Sequence, residues 1–149
     1  MMMVLGTKAA EILLIEDSPT DVFLAREALR DASVSNRLHL VSDGVEAMAF
    51  LNRLGRYHEK PRPDLILLDL NLPRKDGREV LTEIKSDPRF QDIPVVVLTT
   101  SRAASDVDAA YGRHANCYIL KPVDYDEFAK VVQRLLEFWF SVVTLPGQE

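Results

Sequence analysis

A chain of 149 residues, 47% apolar and 28% charged, has the size of one globular domain and can bury a core without disulfides or a structural metal. Its single cysteine, Cys117, excludes an internal disulfide, and a formal charge of −5 argues against nucleic acid or an anionic membrane as the main partner. No apolar run approaches the roughly 18 residues of a membrane span, and Met1 to Leu5 is too short and lacks the basic flank of a signal peptide, so a cytoplasmic protein is expected.

Residues 1–9 read as an extension before a domain covering 10–149. Ile12-Leu13-Leu14-Ile15 is the first short apolar run, and Glu16-Asp17 closes it. Ser18 then opens a helix over about 18–32, with Pro19 suited to the first helical position and Asp21 three residues after the cap. Leu38-His39-Leu40-Val41 is a second run, followed by a helix over about 44–54 capped by Asp43 with Glu46. Gly55 to Pro63 reads as a polar loop. Leu65-Ile66-Leu67-Leu68 is the third run and ends on Asp69; Asp76 with Glu79 caps a helix over about 77–86. Ile93 to Leu98 is the fourth run and leads into Thr99, Thr100 and Ser101 before a helix over about 102–113. Cys117-Tyr118-Ile119-Leu120 is the fifth, ending on Lys121-Pro122, and Asp124 with Glu127 caps a last helix over about 124–142.

Continuous apolar runs of this length mark strands buried on both faces. Five of them alternating with helices predict an α/β domain, a doubly wound (βα)5 fold with a five-stranded parallel sheet. Glu16, Asp17, Asp69, Thr99 and Lys121 then all fall at carboxyl ends of strands, where an open sheet forms its ligand crevice. Three carboxylates gathered there repel one another unless a divalent cation neutralises them, and hard oxygen donors suit Mg²⁺ or Mn²⁺. A lysine and a hydroxyl opposite supply a cation and a donor for the oxygens of a phosphoryl group on Asp69.

Each of these residues has a bland reading when taken alone. An acid pair after a strand is often turn chemistry, Lys121-Pro122 a turn, and Thr99 a strand-end hydroxyl. The complete set in strand order is what points to a site. Glu16-Asp17, Asp69-Leu-Asn-Leu-Pro73 with Asp76-Gly77, Leu98-Thr99 and Tyr118-Ile-Leu-Lys121-Pro122 resemble the motif set of response-regulator receiver domains over about residues 10–142.

That resemblance implies a flavodoxin-like, CheY-like fold and a two-component response regulator that accepts a phosphoryl group from a sensor histidine kinase on Asp69. Asp17 and Asp69 would bind Mg²⁺ with the backbone carbonyl of Asn71, and Glu16, where the family often has Asp, would act through water. Lys121 and Thr99 would hold phosphoryl oxygens, a cis bond before Pro122 would aim Lys121, and Thr99 with Tyr118 would form the switch. Asn71 and Ser101 would tune phosphate loss, and Thr100 would narrow access. Such a protein is not an enzyme beyond catalysing its own phosphorylation and dephosphorylation, and it works by switching the face made by the fourth predicted helix, the fifth strand and the last helix. No sequence remains after that helix for an output domain.

Projected at about 100° per residue, the apolar side chains from Phe128 to Val143 span roughly 220° of the last helix, more than packing on one sheet face requires. The excess, with Phe138, Trp139 and Phe140, predicts a homodimer interface. Leu14 to Val22, the Arg56-Tyr57-His58 loop, the Asp69 to Gly77 segment and Phe138-Trp139 also resemble stand-alone response regulators of bacterial phytochrome histidine kinases. A phytochrome kinase is therefore the expected partner, with no nucleic acid or membrane contact. Two other readings remain open. An aspartate-nucleophile phosphohydrolase would carry a second acid where Asn71 stands, and a degenerate receiver acting as a scaffold would not keep the full set Asp17, Asp69, Thr99 and Lys121.

Overall fold

The computed structural model describes residues 9–99, 117–120 and 125–142, without the side chains of Thr99, Leu120, Ser141 and Val142. The strands β1 (Ala10–Ile15), β2 (Asn36–Val41), β3 (Leu65–Leu68), β4 (Val95–Thr99) and β5 (Cys117–Leu120) form one sheet in the order β2-β1-β3-β4-β5. Every neighbouring pair is parallel, with Ile15 beside both Val41 and Leu68, Leu68 beside Val97, and Val97 beside Tyr118.

The two faces of the sheet bury separate cores, because successive side chains of a strand point to opposite sides. Helices α1 (Pro19–Arg30) and the C-terminal helix (Tyr125–Glu137) cover one face, packing Ala25, Leu29, Phe128, Val132 and Leu136 against Ile12, Leu14, Leu67 and Val96. Helices α2 (Gly44–Leu51) and α3 (Gly77–Ser86) cover the other, where Phe50, Leu81 and Ile84 meet Leu13, Ile15, Ile66 and Val97. The doubly wound architecture read from the strand and helix alternation is the one found. No helix among the described residues is long and apolar enough to cross a membrane.

The caps follow the sequence with one change. Ser18 Oγ accepts from the Asp21 amide at 3.3 Å and Asp43 Oδ1 from the Glu46 amide at 2.8 Å, whereas Asp76 accepts from the Arg78 amide rather than that of Glu79. The cap expected at Asp124 and the helix expected at 102–113 lie outside the described residues. Helix α2 stops three residues early. The Arg53 amide bonds the Phe50 carbonyl and the Leu54 amide the Ala49 carbonyl, a helix-ending motif whose left-handed residue is Arg53, at φ 56°. A short 3₁₀ turn, Gly55–Tyr57, then replaces what the sequence suggests is loop.

Strand β1 begins at Ala10, earlier than its apolar run, because the buried Glu11 is satisfied inside the sheet. Its carboxylate bonds Arg37 and, at 2.8 Å, His39, and its amide donates to Asp64. Burial raises the Glu11 pKa, but the hydrogen bonds and charges of Arg37 and His39 outweigh it and hold the carboxyl below its usual range.

The C-terminal helix changes its winding over its last turn. Phe138–Val142 form a π turn, which winds more residues per turn than an α-helix. Leu135 and Leu136 enter the core, and Trp139 and Phe140 are half-buried against it. Phe138 alone of the three aromatic residues is solvent-facing, 51% exposed, with Trp139 packed edge-on at 5.3 Å.

Candidate functional site

The carboxyl ends of β1 and β3 are adjacent, and this is where strand order reverses and an open parallel sheet leaves a crevice. The register decides what meets there. Ile15 pairs with Leu68, so the next residues in each strand direction, Glu16 and Asp69, come side by side. The Asp69 amide donates to the Ile15 carbonyl at 3.0 Å and the Glu16 amide to the Val41 carbonyl at 3.1 Å, extending the sheet by one residue under each acid.

Carboxylate oxygens of Glu16, Asp17 and Asp69 lie within 4.8 Å of one another. Glu16 and Asp69 are buried, at 3% and 8% exposed, while Asp17 faces solvent. Two of the three are oriented by backbone donors: the Ser18 amide donates to Glu16 Oε2 and the Asn71 amide to Asp69 Oδ1, each at 3.2 Å. At that spacing the two buried groups, Glu16 and Asp69, repel by about 3 kcal/mol when both are ionised, and Asp17, screened by water, adds less. Folding has gathered charge that a bound cation is suited to neutralise. Oxygen donors alone, with one ligand open to solvent, fit Mg²⁺ or Mn²⁺, which keep bound waters, better than Zn²⁺ or copper.

The segment after Asp69 folds tightly back. The Leu72 amide bonds the Leu70 carbonyl at 3.2 Å and the Gly77 amide bonds the same carbonyl at 2.9 Å, returning the chain to the sheet as α3 begins. Gly77 is required there: a Cβ would lie 2.3 Å from the Asp69 carbonyl oxygen and 2.7 Å from Leu70 Cα. Arg74 within the segment has φ 66°, a left-handed conformation that costs a non-glycine residue about 1 kcal/mol or more.

The profile of the response regulator receiver domain matches residues 12–133. The chain belongs to this family. Among curated receivers it is 52% identical to response regulator Rcp1 of Synechocystis sp. over 136 residues, covering 91% of this chain and 92% of Rcp1. Among solved structures it is similar to a phosphorylated cyanobacterial phytochrome response regulator, RcpA, at 49% identity and a TM-score of 0.89, covering 94% of this chain and all of the other. The Mn²⁺-bound form of Rcp1 matches at 51% identity and a TM-score of 0.86, covering 93% of this chain and 99% of the other. Receivers pair with sensor histidine kinases, and this receiver is a two-component response regulator homologous to phytochrome response regulators.

In this receiver the fold brings together Glu16, Asp17, Asp69 and the backbone of Asn71. Thr99 ends β4 beside Leu120 of β5, on the same edge of the sheet, though its side chain lies outside the described residues. Lys121, the bond before Pro122, Thr100 and Ser101 also lie outside them. Tyr118 is half-buried and packs on the core shared by α2 and α3. Cys117 is a half-buried thiol of β5 whose pKa is pushed up by desolvation, which makes it a poor nucleophile. Sequence reading missed Asp43 and Arg74 as neighbours of the site. Asp43 Oδ2 accepts from Arg74 Nη1 at 3.1 Å while its other oxygen caps α2. Nothing in the residue type marks an arginine for a left-handed turn, so no local signal identified it.

Proposed function

We propose that Asp69 is the phosphoacceptor and that Glu16, Asp17, Asp69 and the backbone carbonyl of Asn71 hold the divalent cation. The observation that carries this reading is the convergence of three carboxylates at the β1–β3 crevice, two of them buried and oriented by backbone amides. When bound, Mg²⁺ or Mn²⁺ neutralises the carboxylates and draws charge from phosphoryl oxygens.

An Asp69 oxygen attacks phosphorus in line, the phosphohistidine N–P bond breaks, and the histidine nitrogen leaves with its electron pair. Lys121 and Thr99 hold phosphoryl oxygens, and Thr99 moving toward the new group lets Tyr118 turn inward. The half-buried setting of Tyr118 on the core supports a side chain with two available packings. The protein catalyses its own phosphorylation and the loss of that group. The test is incubation with acetyl phosphate followed by intact mass. A gain of one phosphoryl group with Mg²⁺ and none with chelator is expected; a gain unaffected by chelator would remove the cation from the reading.

The partner kinase is a phytochrome, an assignment supported by the similarity to Rcp1 and RcpA, and the receiver works in the cytoplasm. The receiver, residues 10–149, dimerises through its C-terminal segment. Support comes from Phe138, a large apolar side chain exposed on the π turn and stacked edge-on against Trp139. Trp139 and Phe140 also pack on their own core, so Phe138→Ala is the cleaner probe. It is expected to weaken self-association at least about fivefold, with an unchanged melting temperature at concentrations low enough for both proteins to be monomeric. An unaltered sedimentation profile across the same concentrations would rule this interface out.

A further inference from the structure

We propose that Arg74 and Asp43 are positioning residues, a clamp from the start of α2 that fixes the loop following Asp69 before any cation arrives. This inference rests on the metal-site reading above.

The Lys75 amide donates to the Pro73 carbonyl at 2.7 Å across Arg74, whose φ is 66°. A two-residue hydrogen bond around a left-handed residue is a rare and strained γ-turn. The other non-glycine left-handed residue among those described, Arg53, is explained by its place at the end of α2. No helix ends at Arg74. A conformation of that kind persists only where its surroundings over-determine it.

The surroundings here are the N-cap and first turn of α2. Arg74 Nη1 donates to Asp43 Oδ2 at 3.1 Å, and Glu46 Oε2 stands 3.9 Å away. Asp43 is buried, at 6% exposed, and its other oxygen is committed to the helix cap, so its position is set by α2 and not by the loop. The next residue, Gly44, leaves the space into which the loop fits: a Cβ there would lie 2.1 Å from the Lys75 carbonyl oxygen. On the far side Lys75 pairs with Glu83 of α3. The loop bearing Asn71 is thus gripped from α2 and α3 and tied at its base by Gly77 to Leu70. Loss of a group that orients metal ligands from behind typically costs about 10–100-fold in metal affinity.

Charge and geometry make opposite predictions for Arg74. Removing the positive charge of Arg74 relieves Coulomb repulsion of the cation and, by that effect alone, strengthens cation binding. Releasing the clamp weakens it. Arg74→Gly is the decisive variant, because glycine adopts a positive φ freely and the fold is retained. Mn²⁺ affinity, read from free Mn²⁺ by electron paramagnetic resonance, is expected to fall about tenfold in Arg74→Gly and to recover mostly in Arg74→Lys. Amide exchange of residues 71–77 in metal-free protein is expected to quicken in Arg74→Gly and in Asp43→Asn, the latter keeping a side chain that caps α2 equally well. Mn²⁺ bound as tightly as in the wild type, or more tightly, by Arg74→Gly overturns the clamp while leaving the metal site intact. A wild-type protein that takes no Mn²⁺ overturns both.

Discussion

Asp69→Asn is expected to abolish phosphorylation, lowering the rate at least about a thousandfold, because the nucleophile of a covalent step has no substitute. The amide keeps the shape of the side chain and its place beside Ile15, so the variant isolates the charge and the attacking oxygen. Glu16 and Asp17 do not replace it. Glu16 is buried and held by the Ser18 amide, and Asp17 lies on the solvent side of the cluster. A second signature follows from the same geometry. One charge fewer among three carboxylates whose oxygens all lie within 4.8 Å relieves repulsion in the metal-free protein. Its stability is expected to rise by about 1–3 kcal/mol, measured by urea unfolding. Added Mg²⁺ is then expected to stabilise the wild type more than the variant. Labelling that persists in Asp69→Asn would rule out Asp69 as acceptor.

Gly77→Ala is expected to destabilise the protein by about 3 kcal/mol, although alanine is the better helix former by about 1 kcal/mol at an ordinary helical position. The competing effect is steric. The added carbon would sit 2.3 Å from the Asp69 carbonyl oxygen and 2.8 Å from that of Leu70, both backbone atoms that no side-chain rotation can move away. The strand end carrying Asp69 must shift, so weaker Mg²⁺ binding accompanies the lost stability. Gly55→Ala is the control. It adopts φ +55° with nothing within 4 Å of a new Cβ, and its expected cost is the conformational one, about 1 kcal/mol. Urea midpoints that place Gly77→Ala within about 0.5 kcal/mol of the wild type would mean the loop yields without resistance.

The sheet was legible because its strands are buried on both faces, and a run such as Leu65 to Leu68 has few alternatives once turn residues bound it. The acid cluster was legible for a related reason: residues that end parallel strands must share an edge, and strand order makes two of those ends adjacent. What escaped depends on contacts distant in sequence. Glu11 reads as the end of a strand until Arg37 and His39, 26 and 28 residues away, satisfy it. Arg74 carries no signal for a left-handed turn, since the partner that holds it, Asp43, is 31 residues distant. The aromatic tail was misjudged in its detail because its three rings were grouped as one exposed set: Trp139 shares the helix face of Phe128, Val132 and Leu135 and packs with Phe140 against the core, which leaves Phe138 outside.

The identity of the modified side chain is the most direct test of the site. After reaction with acetyl phosphate and Mg²⁺, borohydride reduction converts an aspartyl phosphate to homoserine, which peptide mass spectrometry then locates. The expected product is homoserine at position 69 alone, absent when Mg²⁺ is chelated. Homoserine at 17, its one-carbon-longer homologue 5-hydroxynorvaline at Glu16, or a phosphoryl group resistant to borohydride on another side chain, would contradict the assignment of Asp69 as the acceptor.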